Sequence, residues 1–344
     1  MADRILVLGG TGFIGRHVVA GLAAGGHTLA VFHRGHTPSE LDESVHRVLG
    51  DRRSIGDHAP QLRDFRPRVV IDMIGYTEAE ARTAIEALRG IAERTVVVSS
   101  QDVYRAFDRF RRLSPGPVEP IPYEEDSLLR ERLFPYRGRD EGQDPWVRDY
   151  DKILVERASR EEGGSGVTIL RLPMVYGPGD RQHRTLPYLK RMDDGRPAIL
   201  LEERQAGWRW TRGFAVDVAA AIVQVATDER AAGRTYNVGE DDALTEADWV
   251  RAIGRAVGWN GEVVAVPTGL WPASRTAEVD WTQSLVTDTS RIRRELGFQE
   301  AVGRQEGLRR TVEWERENPP LLDPGQFDYA ADDRLLERLG REPA

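Results

Sequence analysis

Three glycines spaced three apart form the first stretch of this sequence that could do chemistry. A short apolar run, residues 6–8, leads into Gly9, Gly12 and Gly15, and a helical pattern follows. In such a stretch the first glycine permits a tight turn, the second lets backbone N–H groups approach a pyrophosphate, and the third lets the helix pack on the strand. We predict a dinucleotide-binding turn between a strand and a helix. The other residues of this turn expected to contact the cofactor are Thr11, Phe13 and Ile14.

The end of the second apolar run bears on which dinucleotide is bound. An acidic residue there would hydrogen-bond a ribose 2′-hydroxyl and select NAD, whereas His33 and Arg34 offer positive charge suited to a 2′-phosphate. We therefore expect NADP rather than NAD, the alternative being that Arg34 is a solvated surface arginine. Asp51, with Arg52 after it, ends the third predicted strand and is expected at the adenine side, or serves only as a helix N-cap.

The elements that position these residues are indicated by continuous apolar runs. Residues 69–74 and 96–98 are apolar without alternation, apart from one carboxylate, with a helical stretch between them. Continuous runs are typical of strands buried on both faces of a parallel sheet, so we predict an α/β, Rossmann-type doubly wound fold. Ser99 and Ser100 then lie at the carboxyl end of the fifth strand, where ligands bind in such sheets. The cofactor is also expected to contact Ile74 and Pro173.

Composition excludes several classes of function. The 344 residues contain no cysteine, which removes thiolate nucleophiles, disulfides and cysteine-ligated zinc, and the seven histidines lack metal-ligand spacing, so no metal is predicted. The formal charge of −8 argues against a general nucleic-acid binder. With no signal segment and no apolar run near the ~20 residues that span a bilayer, we expect a cytoplasmic protein without a membrane partner. Only Lys152 and Lys190 are lysines.

Several motifs together resemble those of the extended short-chain dehydrogenases/reductases, also called NAD-dependent epimerases/dehydratases. Besides the glycine turn, they are residues 99–104, Lys152 with Glu156, and residues 171–179, 236–239, 288–291 and 296–298. The resemblance implies a dinucleotide-binding domain over residues 1–175, rejoined by about 212–240. It also implies a smaller C-terminal α/β substrate domain from residues 176–211 and 241–320. Residues 321–344 look like an appended tail, expected to pack on the body or on a second subunit of a homodimer.

The resemblance also implies a set of catalytic roles. Ser100 would hold a substrate hydroxyl, a tyrosine would transfer the proton, and Lys152 would lower the pKa of that tyrosine and bind the nicotinamide ribose. Four residues before Lys152, however, the chain has Arg148 where the family has its tyrosine. A guanidinium cannot take up a proton, so Arg148 could only polarise a carbonyl or hold an anion.

Three other residues are candidates for the proton carrier. Tyr150 is close in sequence, but on a regular helix it would face away from residue 148, so it requires an irregular helix start. Tyr136 follows a proline, as the family tyrosine often does, and requires its loop to fold back. Asp102 matches a position where family dehydratases carry an acid/base residue, its alternative role being a helix cap or loop carboxylate.

Arginines in the second half are candidates for an anionic substrate group. Residues 208–217 resemble the family segment that contacts a nucleotide-sugar diphosphate, which selects Arg209 and Arg212, and Arg181 is a further candidate. We expect an NAD(P)-dependent oxidoreductase, reductase, epimerase or dehydratase acting on a sugar, sugar nucleotide or related hydroxy or keto compound. The alternative is a catalytically reduced NAD(P)-binding sensor, structural protein or RNA-associated protein. Lys152 favours the enzyme and Arg148 favours the alternative.

Overall fold

The computed structural model describes residues 2–37, 41–138, 145–322 and 327–341. In these residues a seven-stranded parallel sheet has the order β10-β6-β5-β4-β1-β2-β3. The expectation of a Rossmann-type doubly wound sheet is confirmed. The strands of the described residues, in this sheet and outside it, are β1 (Arg4–Leu8), β2 (Thr28–His33), β3 (His46–Leu49), β4 (Val69–Asp72), β5 (Arg94–Ser100), β6 (Val167–Leu172), β7 (Met174–Tyr176), β8 (Ala198–Glu202), β9 (Arg212–Phe214), β10 (Thr235–Asn237) and β11 (Glu262–Val266).

Helices cover both faces of this sheet. The α-helices of the described residues, on the sheet and beyond it, are α1 (Gly15–Ala24), α2 (Ala59–Phe65), α3 (Glu78–Leu88), α4 (Arg105–Phe110), α5 (Lys152–Gly163), α6 (Leu186–Asp193), α7 (Glu203–Gly207), α8 (Ala215–Thr227), α9 (Glu246–Val257), α10 (Ser290–Leu296), α11 (Arg304–Glu317) and α12 (Tyr329–Arg338). On β1, Ile5 and Val7 pack with α1 and α8, whereas Leu6 and Leu8 pack with Leu62 of α2 on the opposite face. Apolar residues on both faces explain why the strand runs are continuous rather than alternating.

A second group of elements lies beyond the sheet. Strands β8 and β11 form a parallel pair, and a hydrophobic cluster joins helices α6, α9 and α11. The chain returns to the first group at α8, which packs on α1, and at β10, which pairs with β6. We propose the domain limits drawn from the sequence, with residues 1–175 and about 212–240 in one unit and residues 176–211 and 241–320 in the other.

The tail of the chain packs on this second group. Leu335 and Leu336 of α12 lie in a cluster with Ala198 and Val264, and Asp332 accepts a hydrogen bond from Arg275 at 2.6 Å. The tail was expected to pack either on the body of the protein or on a second subunit, and helix α12 packs on the body. Residues 323–326 and 342–344 lie outside the described part. No helix among the described residues is long and apolar enough to cross a membrane.

A buried ion pair ties α5 to the sheet. Glu156 accepts hydrogen bonds from Arg171 of β6 at 2.9 and 2.7 Å and from the Ser99 hydroxyl of β5 at 2.5 Å. Arg171 also donates to the Tyr104 hydroxyl at 3.0 Å, which donates to Asn237 of β10 at 2.6 Å. These side chains are almost fully buried, so each polar group depends on its partner in the network.

Replacing Glu156 by Gln should destabilise the protein strongly, because it leaves the Arg171 guanidinium buried without a counter-charge. Breaking a buried pair in this way costs about 3–5 kcal/mol in the free energy of unfolding. Urea denaturation measures the change. The control is Glu161→Gln on the same helix, whose pair with Arg82 is exposed and worth about 1 kcal/mol or less. Equal losses in the two variants would contradict the assignment.

Candidate active site

The glycine turn has the shape that a dinucleotide requires. Gly9 has φ of +89°, and a Cβ on Gly15 would collide with the Gly9 carbonyl oxygen, so helix α1 starts directly against the turn. A Cβ on Gly12 would meet no atom within 4 Å, so this backbone faces open space. Helix α1 has no side-chain cap at its start. The Arg16 and His17 N–H groups donate to the Gly12 and Ile14 carbonyls at 3.1 and 3.0 Å, so the N–H groups of the turn before Arg16 are the ones suited to a phosphate. Phe13 and Ile14 pack against the core, and Thr11 is half-buried.

At the end of β2 the two expected cations differ. His33 is buried, its Nδ1 accepts from the Gly35 N–H at 3.2 Å, and burial lowers the pKa of the ring. The ring is therefore neutral near pH 7 and turned inward, and the expectation that His33 supplies positive charge is corrected. Arg34 is exposed. Of these two residues, Arg34 is therefore the one that supplies positive charge.

The third strand's end carries two charged residues that both have protein partners. Asp51 caps the short 3₁₀ helix that follows and accepts from Arg53, which lowers the pKa of the carboxyl. Arg52 is buried and donates both ends of its guanidinium to Asp72 at 2.6 Å. Both ends of the Arg52 guanidinium are therefore used inside the protein. Beside Asp72, the Ile74 side chain closes over the glycine turn at Gly9.

The two serines at the end of β5 face opposite ways. Ser99 donates to Glu156 in the buried network described above, so its hydroxyl is used inside the protein. Ser100 accepts from the Asp102 N–H at 3.1 Å, and its hydroxyl is near enough to Tyr150 to act on the pKa of that phenol. Ser100 is the serine that stands at the candidate site.

Helix α5 begins later than the four-residue count from Lys152 assumes. Asp151 caps the helix by accepting from the Ile153 N–H at 2.8 Å, and Lys152 is the first helical residue. Residues 145–149 form a separate 3₁₀ helix on which Arg148 is exposed. The irregular helix start that Tyr150 requires is present, and Arg148 does not lie with the other site residues.

A carboxylate and two phenols meet beside Ser100. Asp102 accepts from the Tyr150 hydroxyl at 2.8 Å and from the Tyr136 hydroxyl at 3.3 Å, both on Oδ2. Its other oxygen, Oδ1, is buried without a partner among the described residues. Burial raises the pKa of the Asp102 carboxyl, and burial beside Asp102 raises the pKa of both phenols. The loop that carries Tyr136 does fold back, so all three candidate carriers are in one cluster.

Lys152 lies beneath this cluster. Its ammonium donates to the carbonyls of Gly75 and Val98 at 2.6 and 2.8 Å and lies 5.0 Å from the centre of the Tyr76 ring. Burial lowers its pKa to about 8, against the opposing charges of Asp72 and Asp102. Lys152 is thus a buried cation close to both carboxylates.

The candidate arginines of the substrate side differ in whether other groups of the protein already bind them. Arg212 is buried in an ion pair with Glu246 and stacks over Trp249, so its expected role toward a diphosphate is corrected. Arg209 is exposed and donates to the Ala243 carbonyl at 3.2 Å, and Arg181 is exposed. Pro173, between β6 and β7, is half-buried, and a Cβ on Gly213 would lie 3.1 Å from its ring.

Sequence reasoning missed residues that shape the site. Tyr76 stacks on Trp146 with ring centres 4.6 Å apart, and Arg130 is buried against the Asp102 backbone. Neither position carries a signal that spacing alone would reveal. Asp151 does carry one, because an aspartate directly before an apolar helical run is a typical N-cap.

The model of the NAD dependent epimerase/dehydratase family matches residues 5–127 and 149–239. The chain belongs to this family. A 2′-dehydrokanamycin reductase of Streptomyces kanamyceticus is 27% identical over 297 residues, covering 84% of this chain and 75% of the relative. A dTDP-glucose 4,6-dehydratase of Streptomyces niveus is 26% identical over 343 residues, covering 93% of this chain and 95% of the relative.

Solved structures agree on the fold. The UDP-glucose 4-epimerase of Thermus thermophilus, a complex with NAD, has a TM-score of 0.63 at 23% identity and covers 92% of this chain and 99% of its own. The family membership confirms the expectation of an enzyme of the NAD(P)-dependent epimerase/dehydratase or reductase type.

Replacing Asp102 by Asn should change the pH dependence of stability. A carboxyl whose pKa is raised on folding contributes stability that is full below its unfolded pKa and is lost as the pH rises through its folded pKa. Asparagine has no such loss, so the variant should gain stability relative to the parent as the pH rises from about 4, the ordinary pKa of an aspartate, toward neutral. Urea denaturation at several pH values measures the difference.

The matched control for this experiment is Asp57→Asn, which removes an exposed carboxylate. It should not reproduce the gain. A difference between the Asp102→Asn variant and the parent that stays constant with pH would show that the Asp102 carboxyl is not held in an unfavourable environment for its charge.

Proposed function

We propose that this chain is an NADP-dependent enzyme that oxidises or reduces a hydroxyl or carbonyl group of a sugar or related compound. In this proposal Tyr150, rather than Arg148, takes the place of the family tyrosine. The observation that carries the proposal is the 2.8 Å hydrogen bond from the Tyr150 hydroxyl to Asp102, beside Ser100 at the carboxyl end of β5. Arg148 is exposed outside this cluster.

The glycine turn fits a dinucleotide, because Gly12 faces open space and the start of α1 is free of a side-chain cap. A bound nicotinamide cofactor would supply hydride exchange with the substrate carbon. The chain's own residues then hold the substrate oxygen, and hydroxyl groups of Ser100 and Tyr150 are suited to that task. Lys152 adds a buried positive charge next to these groups.

The proton passes between the substrate oxygen and Asp102 through Tyr150. When a hydroxyl is oxidised, Tyr150 takes the hydroxyl proton as its own proton moves to Asp102. When a carbonyl is reduced, the protonated Asp102 carboxyl gives its proton to the phenol oxygen as Tyr150 protonates the substrate oxygen. A phenolate beside a carboxylate is unfavourable, so Tyr150 relays the proton and Asp102 stores it.

The substrate class is supported by the named relatives, which act on 2′-dehydrokanamycin and on dTDP-glucose. A nucleotide sugar needs cations for its diphosphate. Arg212 is committed to Glu246, so Arg209 and Arg181, both exposed, are the arginines proposed to serve a charged substrate. The proposal therefore includes both nucleotide-linked and nucleotide-free sugars.

Arg34→Ala should weaken NADP binding about ten- to a hundredfold while leaving NAD affinity near its original value, because only NADP carries the 2′-phosphate. Calorimetric titration with each dinucleotide measures both affinities. Arg63→Ala, at an exposed arginine on α2, is the control for a general loss of positive charge. Equal or tighter binding of NAD by the parent would contradict the preference.

Tyr150→Phe and Asp102→Asn should each lower kcat at least about a hundredfold, because each removes one step of the proton path. With 2′-dehydrokanamycin as the substrate, the assay follows the oxidation of NADPH. With UDP-glucose and dTDP-glucose, the products are separated and identified by chromatography. Arg148→Ala is the matched control and should retain the parent's kcat. If Arg148→Ala loses activity while Tyr150→Phe keeps it, the tyrosine assignment is wrong, and if the parent turns over nothing, a binding protein is favoured.

A further inference from the structure

Arg130 connects the turn that carries Asp102 to the start of helix α5. It is 2% exposed, and its Nε donates to the Asp102 carbonyl at 2.5 Å. One Nη donates to the Arg132 carbonyl at 2.6 Å, and the other donates to the Asp151 carboxylate at 3.4 Å. A planar guanidinium with three fixed acceptors holds three chain segments in one relative position.

Asp151 is the partner that completes this connection. Its carboxylate is fully buried and accepts from the Ile153 N–H at 2.8 Å, as the cap of α5, and from the Phe134 N–H at 2.6 Å. It lies between Tyr150 and Lys152 in the chain, and Phe134 lies two residues before the third proton-transfer candidate. Every segment that supplies a side chain to the cluster is therefore tied to this one ion pair.

We propose that the Arg130–Asp151 ion pair positions the proton-transfer groups of the site and holds the positive charge of Arg130 against the turn that carries Asp102. This inference rests on the proposed function, because Asp102 is defined there as the group that stores the proton. Neither residue touches the reacting atoms, so both are positioning residues.

The charges around Asp102 give the two partners opposite effects. Two phenols donate to its carboxyl, those of Tyr136 and Tyr150, and the charged groups that act on it are Arg130, Lys152 and Asp151. Arg130 is the largest influence that lowers the pKa of Asp102, and Asp151 raises it. Removing the cation should make the proton on Asp102 harder to lose, and removing the anion should make it easier to lose.

Infrared titration of the protein with NADPH present tests the proposal without any need for turnover. The C=O band of the protonated Asp102 carboxyl is assigned by its absence in Asp102→Asn. Arg130→Met should move the midpoint of this band to higher pH by about one to three pH units. Asp151→Ser, which keeps a capping hydroxyl, should move it to lower pH. Arg132→Met, which keeps the Arg132 carbonyl, should leave it unchanged.

Arg130→Lys separates charge from geometry. Lysine keeps the positive charge but not the fork, so the midpoint should stay close to the parent's while kcat for a substrate of the panel falls more than KM changes. Midpoints that shift in the same direction in Arg130→Met and Asp151→Ser, or that do not shift, overturn the proposal. If Arg130→Met does not fold, an unshifted Asp151→Ser or a shifted Arg130→Lys overturns it. Absence of turnover in the parent would refute the proposed function, whereas the titration would still decide this inference.

Discussion

The carboxylate of Asp151 determines where helix α5 begins, and the rest of the site depends on that position. It is completely buried and satisfied by two N–H groups of the helix, one N–H group of the 130–136 loop and the Arg130 guanidinium. A buried carboxylate with four donors cannot shift along the chain without losing several of them. The residue before it, Tyr150, is therefore held in extended backbone that bridges to Thr77 and points its hydroxyl to Asp102.

Features that depend on local pattern could be predicted from the sequence. The glycine turn and the parallel sheet follow from short-range spacing and from apolar runs without alternation, and the structure has both. The position of the tyrosine could not be predicted in the same way, because counting back from Lys152 assumes that the helix continues through residue 148. Helix α5 instead starts after its N-cap Asp151, and only the recognition of Asp151 as a cap reveals that Tyr150 is the residue turned inward.

Charged residues show a second limit of sequence reasoning. A sequence gives the charge of Arg52 or Arg212, but the partner that uses this charge lies 20 or 34 residues away. Burial then selects internal ion pairs, since a guanidinium without a partner is costly inside the protein. The sequence likewise does not show which of Ser99 and Ser100 reaches the site. Neighbours on a strand face opposite sides of the sheet, and only the packing of the helices decides which side forms the site.

The electrostatics of the cluster distinguish it from the arrangement that the family resemblance implies. There, a lysine lowers the pKa of the tyrosine so that the phenol itself carries the negative charge. Here Lys152 donates to two backbone carbonyls, and Tyr150 donates to a carboxylate, so burial and Asp102 both raise the pKa of the phenol. The protonated and ionised forms of the Asp102 carboxyl lie closer in free energy than those of the Tyr150 phenol. Burial opposes the charge of the carboxylate, whereas Arg130 and Lys152 favour it. On the proposed function, the proton is therefore stored on Asp102, and the tyrosine is kept as a neutral relay between that carboxyl and the substrate.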